Sequence, residues 1–173
     1  MTSGTGAQIR PALPADVRAI NAIVEPMTHT GILLGKDLVS YYEAVQEFLV
    51  ATDEHGTVVG CGALHVMWED LAEVRTLAVH DAQRGTGLGH RLLDSLLERA
   101  VQLGLQRVFC LTFEVEFFSR HGFEVMSEGV DPDLYNQLLR SPDEGIAEFL
   151  DLARVKPNTL GNTRMIKQLD REI

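Results

Sequence analysis

Three glycines at alternate positions, Gly85, Gly87 and Gly89, follow Arg84 in the run Arg84-Gly85-Thr86-Gly87-Leu88-Gly89-His90. An aliphatic segment ending in Leu77-Ala78-Val79 precedes the run. After it, Leu88, Leu92, Leu96, Ala100 and Leu103 recur at helical spacing until Gly104. A strand, a glycine-rich turn and a helix start in that order leave backbone N–H groups without internal acceptors, at the positive end of the helix dipole. Glycine lets an anion come close enough to use them. The chemistry on offer is anion binding, and a pyrophosphate is the anion we expect. A dinucleotide fold would need G-x-G-x-x-G directly after the strand, which this spacing does not give, and a triphosphate loop would need Gly-Lys-Ser/Thr, which is absent. A tight strand–helix turn with no ligand is the plain alternative.

Glu73 and Arg75 stand on the strand before that turn, and period-two alternation puts them on the same face. A guanidinium there can hold a substrate carboxylate with two parallel bonds. It can equally pair with Glu73 or lie on the surface, and the sequence leaves the three readings open.

The elements that must position these groups fit a chain of 173 residues, long enough for a proper core and expected to form one domain. The run at positions 74–79 reads as a strand and that from 88 to 103 as a helix. Upstream, positions 8–11 read as a short strand. Val17, Ile20, Ile23 and Val24 mark a helix ending before His29-Thr30-Gly31, and a second amphipathic helix is expected at 38–46. Strands at 48–51 and 58–66 flank a hairpin loop at Asp53-Glu54-His55-Gly56. Together with the strand before the glycines they give an antiparallel meander. Downstream, 108–112 is too uniformly apolar to be amphipathic and reads as a buried strand. A short helix at 114–121, a strand at 123–125 and a helix from Asp131-Pro132 to about 140 follow. Ser141-Pro142-Asp143-Glu144 reads as a capping box for a helix at 145–152, with a strand as the alternative. Positions 165–169 close the chain as a strand.

Composition narrows the function. The net charge of −10 argues against nucleic acid or an anionic membrane surface as partner. No apolar run approaches the roughly 20 residues that span a bilayer, and the first residues lack the basic and apolar regions of a secretory signal, so the cytoplasm is the expected location. Cys61 and Cys110 sit in apolar runs and read as buried free thiols. The six histidines show no ligand spacing with cysteine, so no metal is expected.

Arg84-Gly85-Thr86-Gly87-Leu88-Gly89, preceded by Leu77-Ala78-Val79, resembles the acetyl-CoA signature Q/R-x-x-G-x-G/A of the GCN5-related N-acetyltransferases (GNAT). The order of elements resembles that family's fold as well. The resemblance implies an α/β (α+β) chain with a central mixed, mostly antiparallel sheet flanked by helices, and a single N-acetyltransferase domain over 1–173. Gly31-Ile32-Leu33-Leu34-Gly35-Lys36, Glu73-Val74-Arg75-Thr76-Leu77-Ala78-Val79, Leu111-Thr112, Phe117-Phe118-Ser119-Arg120-His121-Gly122-Phe123 and Gly161-Asn162-Thr163-Arg164-Met165 resemble the acetyltransferase part of N-acetylglutamate synthases. The likeness is to the short stand-alone type without an amino-acid-kinase domain. Lys36 and Thr76 depart from the arginine and cysteine common in longer relatives, and 141–160 has no obvious counterpart there.

That resemblance implies transfer of acetyl from acetyl-CoA to the α-amine of L-glutamate or L-glutamine, the first step of arginine biosynthesis. A substrate ammonium has a pKa well above 7, so a base must take its proton. Glu73 is the implied base. Lys36, Arg75 and Arg164 are the implied holders of substrate carboxylates. Backbone N–H groups around Leu77, Ala78 and Val79 are the implied oxyanion donors, with a bulge that sequence cannot show. Arg84, Gly85, Thr86, Gly87, Leu88, Gly89 and His90 are implied to take the pyrophosphate. Phe118 stands where many relatives carry a tyrosine and is implied as part of the cofactor wall. Thr112 is the implied donor to the leaving thiolate. The partner is then a small amino acid, and a homodimer is common for such folds although no patch specifies one. Two competing readings remain: acetylation of another small amine or a protein N-terminus, and a non-catalytic acyl-CoA-binding sensor.

Overall fold

The apolar run Val108-Phe109-Cys110-Leu111 has no polar side because helices cover both faces of the strand it forms. In the computed structural model, which describes residues 6–30, 37–127, 130–150 and 162–170, the strands are β1 (Gln8–Pro11), β2 (Phe48–Thr52), β3 (Val58–Trp68), β4 (Leu71–Val79), β5 (Arg107–Thr112), β6 (Glu124–Val125) and β7 (Thr163–Gln168). They build a seven-stranded sheet in the order β1-β2-β3-β4-β5-β7-β6. β4 and β5 run parallel, and all other neighbours are antiparallel. The sheet is therefore mixed and mostly antiparallel, as expected, with the meander of β2 to β4 feeding the glycine turn.

The helices are α1 (Val17–His29), α2 (Leu38–Glu43), α3 (Leu88–Gln102), α4 (Val115–Ser119), α5 (Pro132–Leu138) and α6 (Glu144–Phe149). On one face of the sheet, Leu93, Leu96 and Ala100 of α3 and Phe118 of α4 pack on Leu64, Ala72, Val74, Val108 and Cys110. On the other, Val17, Ile20 and Val24 of α1 and Tyr41 of α2 cover Phe48, Val50, Cys61 and Ala63. Beside them Leu134, Leu138, Ile146 and Phe149 of α5 and α6 cover Leu71 and Phe109. Leu92, Leu93 and Leu96 are fully buried, each removing enough apolar surface to stabilise the fold by about 1.5–3 kcal/mol. These contacts fix α3 against β3 and β4, and so fix the turn that joins β4 to α3.

Several boundaries differ from those read in the sequence. The second helix gives way to a 3-10 turn at Val45–Glu47. β3 and β4 are longer than expected and meet at a tight turn at Glu69 and Asp70. The helix after residue 143 is confirmed over Glu144–Phe149 and a strand there is excluded, but its cap is not Ser141. The Ile146 N–H is accepted by the Asp143 carboxylate at 3.1 Å, and Ser141 Oγ accepts from the Asp143 N–H instead. Aspartate caps as well as serine, and a tertiary partner of Asp143 decides between them. The expectations placed on 31–36, including Lys36, and on 151–161 lie outside the described residues.

Candidate active site

The glycine turn has the shape its composition calls for. Gly85 and Gly87 take left-handed backbone angles, φ +78° and +84°. A Cβ built on either would meet nothing within 4 Å, so both face open space. Gly87 is the N-cap of α3 and caps it with no side chain. The N–H groups of Gly89 and His90 lie in the first turn, where no intrahelical carbonyl reaches them. Thr86 supports the turn by donating its hydroxyl to the Gln83 carbonyl at 2.6 Å. Arg84 lies outside it on the surface, paired with Asp81 at 3.1 Å.

The turn opens beside a fork in the sheet. β4 and β5 pair only through Leu71, Ala72 and Glu73 against Arg107, Val108 and Phe109. Both strands run on, to Val79 and Thr112. Beyond Glu73 the β5-facing edge of β4 has no partner strand among the described residues. On its other edge, facing β3, the same stretch of β4 carries a bulge: Cys61 pairs with Ala78 but Ala63 with Arg75, so β4 carries one residue more than β3. The residue that absorbs it is Thr76, whose φ of +57° is the one left-handed value for a non-glycine among the described residues. Such a conformation costs about 1–2 kcal/mol and is held by the strands around it. Its effect is to reverse the alternation. Glu73 and Arg75 face the side of α5 and α6, and past the bulge it is Ala78 that returns to that side, packing in the α1 cluster.

At the fork, Glu73 and Arg75 are buried and bonded to each other. The Arg75 Nε and Nη2 groups donate to Glu73 Oε2 at 3.0 and 2.5 Å. The opposite edge of the guanidinium donates from Nη1 and Nη2 to the two Asp143 oxygens at 2.9 and 3.0 Å. The side chains of Arg75 and Glu73 are 9% and 6% exposed, so this is an ion triad in a low-dielectric setting. Burial alone would lower the Arg75 pKa, but Glu73 and Asp143 outweigh it and hold the guanidinium charged. Burial would raise the Asp143 pKa, yet its bonds to Arg75 hold it down to about 2. Of the readings open for Arg75, pairing with Glu73 is the one the structure realises, and its carboxylate fork is filled by Asp143. Behind Asp143, His65 Nε2 lies 3.9 Å from Oδ2, and His65 Nδ1 meets Glu47 at 2.7 Å. On the far side of His65, a cavity of about 310 Å³ opens between Met67, Trp68, Leu138 and Arg140.

The other expected site residues are distributed as follows. Thr112, 7% exposed, ends β5. Its Oγ1 accepts from the Glu114 N–H at 2.7 Å, which leaves the hydroxyl proton to donate elsewhere. Phe118 belongs to the core, edge-on to Phe117 and Phe123. The ring beside the glycine turn is Phe117, 3.5 Å from a Cβ placed on Gly89 and stacked on His90 at 4.5 Å. Helix phase separates the two adjacent rings: Phe118, the one named in the sequence reading, packs inward, and Phe117 faces the turn. Arg164 donates to the Phe149 carbonyl at 3.1 Å and so caps the end of α6. A contact the sequence did not suggest also enters. His121 Nε2 is 2.7 Å from His90 Nδ1, and His121 Nδ1 is 2.9 Å from Asp94. No local signal pairs His65 with Glu47, Asp143 with Arg75 or His121 with His90, because the partners are far apart in the chain.

A strand–glycine turn–helix beside two parted parallel strands is the arrangement expected of an acyltransferase that works on a CoA thioester. The chain belongs to the acetyltransferase (GNAT) family, whose model matches residues 24–123. It is 56% identical over 162 residues to an amino-acid acetyltransferase of Mycobacterium tuberculosis, covering 91% of this chain and 92% of that one. It is 32% identical over 135 residues to an amino-acid acetyltransferase of Neisseria meningitidis, covering 77% of this chain and 31% of that longer one. Among solved structures, a Mycobacterium tuberculosis protein in complex with CoA is similar with a TM-score of 0.89 at 54% identity, covering 94% of this chain and 99% of that one. The N-acetylglutamate synthase of Neisseria gonorrhoeae, complexed with CoA and N-acetyl-glutamate, shares the fold with a TM-score of 0.77 at 24% identity, over 98% of this chain and 36% of that one.

The family's acetyl donor fits the residues present here. The open space at Gly85 and Gly87 and the first-turn N–H groups of Gly89 and His90 in α3 would take a pyrophosphate. The unpartnered edge of β4 offers N–H and C=O groups to the amides of a pantetheine arm. Among the described residues no group of three or more His, Cys, Asp or Glu is placed to hold a metal ion, and no helix is long and apolar enough to cross a membrane.

Proposed function

We propose that this chain, read as one N-acetyltransferase domain, transfers acetyl from acetyl-CoA to the α-amino group of a small amino acid. L-glutamate or L-glutamine is the substrate class, which places the reaction as the first step of arginine biosynthesis, in the cytoplasm. The observation that carries this reading is the position of Glu73: a buried carboxylate, anchored through one oxygen, where β4 and β5 part. The identity to an amino-acid acetyltransferase over nine-tenths of the chain supports the substrate class.

In this reading the free oxygen of Glu73 takes the proton of the substrate ammonium, directly or through a water, so that a neutral amine attacks. Acetyl-CoA supplies the activated thioester carbonyl. The N–H groups around Leu77 and Val79, re-aimed by the bulge at Thr76, meet the developing oxyanion. Thr112, with its proton free, donates to the leaving sulfur. The backbone from Gly85 to His90 holds the pyrophosphate, and Phe117 backs it. Lys36 is the reading's carboxylate clamp, while Arg75 orients the base.

The test is a panel of free amino acids with acetyl-CoA, following release of the CoA thiol. Turnover with an acidic or amide amino acid is expected. Absence of turnover with all of them, alongside turnover of a polyamine or a peptide N-terminus, would sink it.

A further inference from the structure

We propose that the cavity at the Trp68 end of β3 is a second binding site, for a small organic carboxylate with an apolar body. The site is independent of the acetyl transfer proposed above. The cavity holds about 310 Å³, at the small end of the roughly 300–1,000 Å³ usual for small-molecule sites. Its described walls come from β3, from the end of α5 and the chain leading into α6, and from Ile146. The triad of Glu73, Arg75 and Asp143 lies on the other side of His65, whose Nε2 is 3.9 Å from Asp143. The glycine turn follows the far end of β4, whereas the cavity adjoins the turn at Glu69 and Asp70 where β4 begins.

The ligand class follows from what the walls offer. Met67, Trp68 and Leu138 make the apolar side. Trp68 is 39% exposed, and a ligand's apolar body laid against it would remove that area from water. The polar side holds donors that lack acceptors. Arg140 has no acidic partner among the described residues, and the Gln137 amide has none either. Ser141 Oγ accepts the Asp143 N–H at 3.2 Å, which leaves its proton to donate. Groups that would repel an anion are already engaged. At the end of α5 the carbonyls of Gln137 and Leu138 accept the N–H groups of Arg140 and Ser141 at 3.1 and 3.0 Å. The two carboxylates beside His65 are held as well, Asp143 by Arg75 and Glu47 by His65 itself. What remains is a guanidinium, a hydroxyl and an amide next to an indole. A guanidinium fork takes a carboxylate through two parallel bonds, and the indole takes the hydrocarbon attached to it.

Trp68 is the one tryptophan of the chain, so tryptophan fluorescence reports on this cavity alone. The experiment titrates the whole chain with benzoate and with hexanoate, and with benzamide and hexanamide as controls of the same size without the charge. A saturable change in Trp68 emission is expected with at least one of the acids, with a Kd of about 1 mM or tighter for ligands of fewer than ~10 heavy atoms. Neither amide should produce it. Arg140 is exposed, so Arg140→Ala should leave the fold intact and weaken the acid by about tenfold, the worth of a charged hydrogen bond. Acetyl-CoA or glutamine, each added at saturation, should leave the Kd where it was. No saturable change with either acid, equal binding of the amides, or full affinity in Arg140→Ala overturns the proposal. Displacement by acetyl-CoA or glutamine overturns it too, because the anion would then sit in the reaction site.

Discussion

Cys61 and Thr76 meet across β3 and β4, the Cys61 thiol donating to the Thr76 carbonyl at 3.5 Å. The contact lies at the bulge, where the left-handed turn of Thr76 swings its carbonyl to the sulfur. The thiol is the donor because burial pushes its pKa up to about 12. It fills the space behind the strained residue and takes no part in chemistry.

Both cysteines are buried and free, so neither should react in the folded protein. A chromogenic disulfide reagent at pH 8 is expected to label neither Cys61 nor Cys110 in the native state and both after denaturation. Rapid labelling of the native chain would contradict the packing described.

Glu73→Gln should lower kcat/KM by about a hundredfold or more, the usual contribution of a positioned base. Acetyl-CoA affinity, read by calorimetry, should be unchanged. The amide keeps the shape and loses the proton acceptor.

Thr112→Val removes the hydroxyl and its proton. We expect kcat at saturating substrates to fall by roughly tenfold or more, the scale of acid assistance, with recovery in Thr112→Ser. Stability should fall by about 1 kcal/mol, because the Glu114 N–H loses its acceptor. A chemical denaturation curve separates the two effects.

Gly87→Ala places a methyl in the open space of the turn and imposes a left-handed backbone on alanine. The KM for acetyl-CoA should rise at least tenfold while that for the amino acid holds. The folding penalty should be about 1 kcal/mol.

Acid should weaken the fold through Asp143. Its folded pKa is about 2 against an ordinary 3.8, so the folded state binds protons less readily than the unfolded chain. The stabilisation is complete above the ordinary value and is lost as pH falls from about 5 towards 2. Asp16, lowered by its bond to Arg10, acts in the same direction. Thermal melts across this range should show a declining Tm, with a shallower decline in Asp143→Asn.

The turn was legible because its signal is local: three glycines and a helical stripe lie within one stretch of chain. Glu73 and Arg75 were legible as a pair because alternation holds up to residue 75. It fails one residue later, and nothing in Thr76, an ordinary strand former, announces a positive φ. The partner of Arg75 was out of reach in a different way. Asp143 lies 68 positions along the chain, inside a segment whose local signals fit a serine cap equally well. Phe117 and Phe118 illustrate a third limit. Adjacent identical rings differ only in helix phase, and a five-residue helix leaves that phase open until its packing is known.

The order of the sheet has a consequence for synthesis. β7 inserts between β5 and β6, so a strand made late is flanked by strands made earlier. Until it arrives, one edge of β5 is bare along Val108-Phe109-Cys110-Leu111, an apolar run with no charge to discourage pairing with another chain. A chain ending before Thr163 therefore carries an adhesive edge on β5 and leaves β6, which pairs with β7, outside the sheet. Covering that edge falls to the six residues of β7.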